Sequence, residues 1–166
     1  MVMSCSSSAK MHLAFLSLGS NLGNKEQNIN NAIKLIADQI GIIKAQSSIL
    51  ETEPWGFLSP NKFLNAAIRV ETPLSPRALL RKLQTIERIL GRIRKTPLAP
   101  NGEKPPYEDR IIDIDILLYY KKSDATPQFD FNGWGGSVQI STPSLTIPHP
   151  HMHKRDFVLV PLKEII

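Results

Sequence analysis

Hydrophobic and polar positions follow two different periods along the chain, and these periods predict its helices and strands. Residues 24–41 carry apolar side chains at helical spacing, with Asn24 as the N-cap and Gly41 at the place of a left-handed C-cap. Residues 75–91 have the same spacing, and their helix begins at Ser75 followed by a proline. The chain is therefore expected to contain two amphipathic helices.

Four other segments have the alternation or the short apolar runs that predict strands: residues 12–18, 42–53, 63–72 and 111–119. Together with the helices they give the order strand, helix, strand, strand, helix, strand. This order is typical of the ferredoxin-like fold, an α+β architecture whose antiparallel sheet has its helices packed on one face. The other face of the sheet is then expected to carry the active site.

The strand at 111–119 has an acidic pair in an otherwise apolar run. Its period of two places alternate isoleucines and Leu118 on one face, and Asp113 and Asp115 on the other. Two carboxylates at i and i+2 have Cα atoms about 6.5–7 Å apart, so they can bind one or two hard cations such as Mg²⁺. Arg110 stands just before the pair, where it can hold a polyphosphate beside the metal. The alternative is the solvated outer face of an edge strand.

Three other features could contact a ligand. Phe63 and Asn65 share one face of their strand, where an aromatic ring can stack on a heterocycle and an amide can hydrogen-bond to it. The loop at 53–61 is long for a hairpin and is a candidate binding element. Gln84 and Glu87 follow one ridge of the second helix and would reach the same ligand. For each of these side chains the alternative is an ordinary solvated surface.

Residues 92–110 contain four prolines and a glycine, with basic residues at both ends, and they lead directly into the acidic strand. Prolines exclude a helix, so a long loop is predicted that can act as a lid over a phosphate site. Further along, His149, His151 and His153 alternate, which leaves zinc binding open as an alternative. Residues 129–140 are expected to form an exposed hairpin.

Composition narrows the class of protein. The chain has 166 residues, 42% hydrophobic and 21% charged, which is ordinary for one globular domain. A formal charge of +5 favours an anionic partner: nucleotide, nucleic acid or an acidic surface. Cys5 is the only cysteine, which excludes an internal disulfide and favours a cytoplasmic location. Residues 1–10 are expected to be a disordered extension before a single domain at 11–166, and no segment has the length of a membrane span.

Five short motifs occur in a fixed order along the chain. They are Ser17 to Gly23, Phe63 to Ala67, Glu87 with Gly91 to Arg94, Arg110 to Asp115, and Ile147 to His149. With these motifs the chain resembles the 6-hydroxymethyl-7,8-dihydropterin pyrophosphokinase family of folate biosynthesis, from about residue 12 to its end. Each motif alone is modest, but the set in this order is highly specific.

The resemblance implies transfer of pyrophosphate from ATP to the hydroxymethyl group of a reduced pterin, with release of AMP. By their matching positions, Asp113 and Asp115 would hold two Mg²⁺ ions. Arg92 and Arg110 would neutralise the charge that develops on the transferred group. The expected partners are these two small molecules, with neither nucleic acid nor membrane, and the expected state is a monomer.

The resemblance also implies which residues bind each substrate. The pterin would lie between Phe63 and Phe157, in contact with Thr52, Asn65 and Tyr107. The residues that match the ATP side are Gln84, Glu87, Arg94, Ile116, Thr146, His149 and Arg155.

The chain departs from the family pattern just before Arg110. The family usually has Trp-Gly-Pro there, whereas this chain has Tyr107, Glu108 and Asp109. Two extra acids beside a phosphate site are expected to oppose ATP unless they point away. The loop between Arg94 and Arg110 is also longer than the family's, so its closing motion is expected to differ.

Two other functions use some of the same residues. A ferredoxin-like sheet with a basic surface and exposed aromatics could be an RNA-binding module, although an acidic pair at its centre would repel a phosphate backbone. A two-metal nuclease would also use the aspartates, but it needs more acidic ligands and a long groove. Binding of adenine nucleotide that depends on metal and not on RNA distinguishes the kinase from both.

Overall fold

A computed structural model describes residues 10–91, 108–130 and 133–166, and it contains one five-stranded sheet and three α-helices. The strands of the sheet are β1 (His12–Ser20), β2 (Ile42–Gln46), β3 (Leu50–Thr52), β4 (Phe63–Thr72) and β5 (Asp113–Tyr120). The helices are α1 (Lys25–Gln39), α2 (Pro76–Ile89) and α3 (Asp156–Lys163), with a short 3₁₀ helix at Met152–Lys154. Two small antiparallel pairs complete the description: β6 (Gln128–Asp130) with β7 (Gly133–Gly135), and β8 (Ile140–Ser141) with β9 (Thr146–Ile147).

The main sheet is antiparallel, as expected, with the order β2-β4-β1-β5, and β3 also pairs with β4. Strand β1 is central, and all of its residues are buried except His12 and Gly19, which are partly exposed. Since β1 pairs with both β4 and β5, it brings the predicted aromatic strand and the predicted acidic strand to either side of itself.

Helix α1 begins where its sequence predicts, because the Asn24 side chain accepts a hydrogen bond from Gln27 N. The predicted left-handed C-cap at Gly41 is wrong, since its φ is not positive. Gly41 is required there for a different reason. A Cβ at this position would lie 2.0 Å from the carbonyl oxygen of Glu71, so only glycine lets the chain pass so close to β4.

The sheet has a hydrophobic core on each face. One core lies between the sheet and the helices α1 and α2, and includes Ile36 and Leu83. The other face carries a second core in which Val158 and Leu162 of α3 pack with Phe15. The expectation that helices occupy one face only is therefore corrected, because the apolar side of α3 needs a surface and covers part of the second face.

Two predicted strands depart from a simple alternation. Leu16 pairs with Ile116 and Phe15 pairs with Leu118, so Leu117 is an extra residue, a bulge that reverses the faces beyond it. Leu118 consequently packs in the second core, not with the preceding isoleucines.

The predicted strand 42–53 is also interrupted. It divides into β2 and β3, because side chains take over the hydrogen bonding between them. Ser47 Oγ accepts from Ala67 N at 2.8 Å, and Ser48 N donates to the Glu164 carboxylate at 2.7 Å. Ser47 N still donates to Ala67 O at 2.9 Å, so the regular ladder is interrupted only after this bond.

The predicted hairpin at 129–140 is present as β6 and β7, but its tryptophan is not exposed. Trp134 lies in the second core, where its ring stacks against His153. Among the described residues, no helix has the length and apolar character needed to cross a membrane.

Candidate active site

The strand register brings the predicted site residues together at one end of the sheet. Ser17 of β1 pairs with Asp115, and Gly19 pairs with Asp113 on one side and with Asn65 on the other. The acidic pair and the polar residue of β4 are therefore two strands apart, with only small side chains between them. This end of the second face is the part that α3 leaves open.

A pocket of about 490 Å³, including its open mouth, lies over these residues. We call it the aromatic pocket; its lining is Ser17, Gly19, Thr52, Glu53, Trp55, Phe57, Phe63, Asn65, Arg110, Asp113, Asp115, Arg155 and Phe157. Phe63 and Phe157 line it together, as the resemblance implies, and Phe57 contacts Phe63 edge to face with ring centres 6.2 Å apart. The pocket can therefore accept a flat ring between aromatic side chains.

Asn65 supplies the polar edge of the aromatic pocket. Its side chain is 4% exposed, and its Nδ2 donates to Thr52 Oγ1 at 2.7 Å and to Leu50 O at 3.3 Å. These bonds fix the orientation of the amide before any ligand binds. The Oδ1 atom lies 3.4 Å from where a Cβ at Gly19 would be, so the glycine keeps this edge open.

Asp113 and Asp115 lie at the other end of the aromatic pocket. Arg110 Nη1 is 3.1 Å from Asp113 Oδ2, an ion pair that holds both groups in place. Burial raises the pKa of Asp115 well above its usual range, and the charges of Asp113 and Glu87 raise it further. A site that concentrates negative charge in this way fits a divalent cation, and Mg²⁺ usually takes one or two carboxylates with phosphates and water as its remaining ligands.

A second pocket, the outer cleft, lies on the opposite side of Asp115. It measures about 560 Å³ with its mouth, and its lining is Leu80, Ile114, Asp115, Ile116, Pro143, Ser144, Leu145, Thr146, His149 and Pro150. The predicted ATP-side residues Ile116, Thr146 and His149 are thus together. Asp115 lines both pockets, so a group bound to it can contact ligands in each.

His149 lies beside Asp115, and its imidazole ring is neutral. Its Nε2 is 3.9 Å from Asp115 Oδ2, and its Nδ1 accepts a hydrogen bond from His151 N at 3.2 Å. Burial lowers the pKa of His149 to about 4, with Arg155 and His151 contributing in the same direction. Because Nδ1 accepts, the proton of the neutral ring is on Nε2, on the side of Asp115.

The other residues matched to the ATP side lie elsewhere. Arg155 is 6% exposed and lines the aromatic pocket, with its guanidinium 4.4 Å from the Trp55 ring centre and 5.6 Å from that of Phe157. Gln84 and Glu87 line neither pocket. Glu87 Oε1 accepts from Ile114 N at 2.8 Å, so it supports the acidic strand from behind.

Three predicted site residues, Arg92, Arg94 and Tyr107, lie outside the described residues, as does most of the proposed lid. Sequence reasoning did not assign Ser17, Gly19, Trp55 and Phe57, which line the aromatic pocket. The signal for the first two was small residues at alternate positions of an apolar strand. The other two lie in residues 53–61, which we call the aromatic loop.

The three alternating histidines do not converge. His151 lies against Trp55, with ring centres 6.2 Å apart, and His153 lies against Trp134. Within residues 10–91, 108–130 and 133–166, no group of three or more His, Cys, Asp or Glu side chains is placed to hold a metal ion. Any cation at the acidic pair must therefore take part of its ligands from substrate and water.

An aromatic pocket and an outer cleft that share Asp115 fit a transferase that brings two substrates together. The family model described as 7,8-dihydro-6-hydroxymethylpterin-pyrophosphokinase (HPPK) matches residues 15–166. The chain belongs to this family.

Named relatives agree with the family match. The 2-amino-4-hydroxy-6-hydroxymethyldihydropteridine pyrophosphokinase of Porphyromonas gingivalis is 40% identical over 157 residues, 93% of this chain and 91% of the relative. The enzyme of the same name from Bacillus subtilis is 35% identical over 155 residues, 93% of this chain and 78% of the relative. The RNA-binding module and the nuclease find no support in these matches.

A solved structure is similar in fold. Plasmodium falciparum HPPK-DHPS superimposes with a TM-score of 0.64 over 97% of this chain, at 17% identity. This chain spans 42% of the length of that protein.

Proposed function

We propose that the protein transfers pyrophosphate from ATP to the hydroxymethyl group of 6-hydroxymethyl-7,8-dihydropterin and releases AMP, a step of folate biosynthesis. The named pyrophosphokinases that resemble it over more than nine tenths of its length support this activity. The single observation that carries the site assignment is the position of Asp115, which lines both pockets. ATP in the outer cleft and a pterin in the aromatic pocket would meet at that carboxylate.

The aromatic pocket is proposed to bind the pterin. Phe63 and Phe157 would sandwich the ring, while the Asn65 amide and Thr52 would read its donor and acceptor edge. The bond of 2.7 Å between Asn65 and Thr52 supports this assignment, because it presents the Asn65 carbonyl oxygen in one orientation. Tyr107, also proposed to contact the pterin, lies outside the described residues.

Two Mg²⁺ ions are proposed to bind at Asp113 and Asp115. Bound Mg²⁺ would neutralise the phosphates and make the pterin hydroxyl a better nucleophile. The residues themselves hold the site in shape: Arg110 is paired with Asp113, and Glu87 anchors the backbone between the aspartates through Ile114 N. Arg110, with Arg92 from the undescribed loop, is proposed to neutralise charge on the transferred group.

The outer cleft is proposed to bind ATP through Ile116, Thr146 and His149, which line it. Gln84, Glu87, Arg94 and Arg155 remain proposed ATP-side residues by their match to the family. Arg155 lines the aromatic pocket, and its positive charge acts on both Asp115 and His149, which supports a contact with phosphate near these residues.

Residues 11–166 are proposed to form one domain with a ferredoxin-like core, which the strand order β2-β4-β1-β5 supports. The expectation of a disordered extension at 1–10 falls on residues that, apart from Lys10, are outside the described ranges.

The protein is also proposed to be a cytoplasmic monomer. Its single cysteine supports a reducing compartment. Light scattering on the purified protein would test the monomer.

Product analysis tests the proposed activity. Purified protein is incubated with Mg²⁺, ATP and 6-hydroxymethyl-7,8-dihydropterin, and AMP is separated from ADP. AMP that appears in equal amount with the pterin pyrophosphate is the expected result. ADP as the nucleotide product would mean that the terminal phosphate alone is transferred, and would refute the proposal.

A further inference from the structure

Asp109 lies at a junction of three segments beside the aromatic pocket. Its Oδ1 accepts a hydrogen bond from Asn21 Nδ2 at 2.7 Å, and its Oδ2 accepts one from Asn61 Nδ2 at 2.9 Å. Asn21 connects β1 to α1, and Asn61 ends the aromatic loop, while Asp109 itself precedes β5. One carboxylate therefore joins the aromatic loop to the two segments that border the acidic pair.

The partners of Asp109 leave little freedom for another arrangement. Asn21 Oδ1 accepts from Arg110 N at 2.7 Å, so the Asn21 amide cannot reverse without losing that bond. Its Nδ2 also reaches Asn61 O at 3.3 Å. The group opposite Asn21 Nδ2 must therefore be an acceptor, and a carboxylate has two acceptor oxygens with no donor of its own.

The carboxylate is ionised at neutral pH. Hydrogen bonds from Ser59, Asn61 and Asn21, together with the charge of Arg110, hold the pKa of Asp109 below its usual value. Hydrogen bonds to an ionised acceptor are stronger than those between neutral groups. Two of the donors, Ser59 and Asn61, belong to the aromatic loop. Their bonds to Asp109 therefore hold the loop in place.

From the sequence, an acid at position 109 is expected to oppose ATP unless it points away from the phosphate site. An acid beside a phosphate site opposes ATP only if it faces the phosphates, and the Asp109 side chain faces Asn21 and Asn61 instead. It lines neither the aromatic pocket nor the outer cleft. Its contacts place it behind the aromatic loop, and its bonds from Asn61 and Ser59 let it act on the pocket through that loop.

We propose that Asp109 is a positioning residue for pterin binding, which holds the aromatic loop in place and so presents Trp55 and Phe57 to the pterin. The inference rests on the proposed function, because it takes the pterin as the ligand of the aromatic pocket. Glycine at position 56, with φ of 82°, and two prolines give this loop its turn, and the Asp109 bonds hold the end of the loop at Ser59 and Asn61. Without the Asp109 bonds, the loop would have to become ordered when the ligand binds, and this entropy loss would lower the affinity.

The test measures pterin affinity apart from turnover. Isothermal titration with 6-hydroxymethyl-7,8-dihydropterin, in Mg²⁺ and a non-hydrolysable ATP analogue, is carried out on Asp109→Ala, Asn61→Ala and the double variant. Asn61→Ala is expected to bind the pterin about 10-fold more weakly, the size of one lost charge-assisted hydrogen bond. Asp109→Ala is expected to bind it at least as weakly, because it also removes the bonds from Asn21 and Ser59. The double variant should bind about as weakly as Asp109→Ala, because both substitutions remove the same bond. Affinity for the ATP analogue should change less than about twofold.

Glu108→Ala is the matched control, since it removes the same charge one residue earlier and leaves the bonds of Asp109 intact. It should bind the pterin like the wild type. Asp109→Asn is the conservative variant: its amide can still accept from Asn21, and it can donate to Asn61 if that side chain reverses. It should recover most of the affinity that Asp109→Ala loses.

Trp55 provides a signal from the loop itself. The chain has two tryptophans, so Trp134→Phe leaves Trp55 as the only one. In that background, Asp109→Ala should make Trp55 more accessible to acrylamide quenching, and Glu108→Ala should not. A general loss of stability would not produce this difference in the folded protein.

The outcomes separate this inference from the proposed function. Wild-type protein that neither binds the pterin nor forms AMP would refute the function and the inference with it. Wild-type turnover together with pterin affinity within about twofold in Asp109→Ala would refute the inference alone. If Asp109→Ala does not fold, Asn61→Ala removes one of the same bonds from the other side and decides the question.

Discussion

The aromatic pocket and the outer cleft share Asp115 but are built in different ways. In the aromatic pocket, polar groups are bonded to one another before any ligand arrives, as in the 2.7 Å bond from Asn65 to Thr52. The outer cleft mixes apolar side chains such as Leu80 with polar ones, and Ser144, one of the polar ones, is exposed. A buried and fixed polar edge can reject a wrong heterocycle, whereas an exposed polar side chain can reorient and discriminates less.

This difference between the two pockets predicts which substitutions change substrate selectivity. Substitutions in the aromatic pocket should change which pterin is accepted, and substitutions in the outer cleft should change nucleotide affinity by smaller factors. Substitution of Asp115, which belongs to both, should affect the two substrates together. Four predictions test this comparison, beginning with the largest effect.

Asp115→Asn is expected to lower turnover by about 10²-fold to 10³-fold, because it removes a carboxylate that is proposed to hold Mg²⁺ beside the transferred group. It should also abolish stabilisation of the protein by Mg²⁺ with ATP, measured as a shift in Tm. Asp124→Asn, at an exposed position far from the site, is the control and should change neither. Turnover within about twofold of wild type for Asp115→Asn would show that the acidic pair is not shared by the two substrates.

The same variant should be more stable than wild type without metal at pH 7. The raised pKa of Asp115 means that its charged form is disfavoured in the folded protein. Its contribution to the free energy of unfolding is therefore full below about pH 4, the usual pKa of aspartate, and is lost as pH rises through the raised value. Asparagine carries no charge and escapes that loss, which thermal unfolding from pH 4 to 8 would reveal.

Asn65→Ala is expected to weaken pterin binding by about 10-fold to 100-fold while nucleotide affinity stays within about twofold. The substitution removes the fixed amide and leaves Thr52 without this partner in a mostly buried place, a loss of about 1–3 kcal/mol. Titration with each substrate separately makes the measurement. Equal weakening of both substrates would contradict the separation of the two pockets.

His149→Gln is expected to raise the KM for ATP by a few fold and to leave pterin affinity unchanged, with His151→Gln as the control on an exposed neighbour. The lowered pKa of about 4 adds a second test in metal-free protein. Between pH 6.5 and 4 the unfolded state binds a proton that the folded His149 rejects, so stability falls as pH falls. The glutamine variant lacks this component, and an NMR titration of His149 with a pKa near 6.5 would contradict the prediction.

Much of the fold was readable from local patterns. The helix from Asn24, the proline start of α2 and the bounds of β4 agree with the sequence, because caps and periods act within a few residues. The errors lie where distant segments meet. Leu118 changed face because of a bulge beside β1, and Gly41 serves the close approach of Glu71, neither of which a local pattern contains.

Local patterns were sufficient to identify the acidic pair, its strand and the aromatic and amide residues of β4, since an alternating pattern specifies which side chains share a face. Three features became visible only in the folded chain: Asp115 lines two pockets, Arg155 lies against Trp55, and Asp109 binds Asn21 and Asn61. Each of those contacts joins residues that are far apart in the chain. They depend on how β1 aligns its two neighbours and on where the connecting loops pack, which long-range pairing decides.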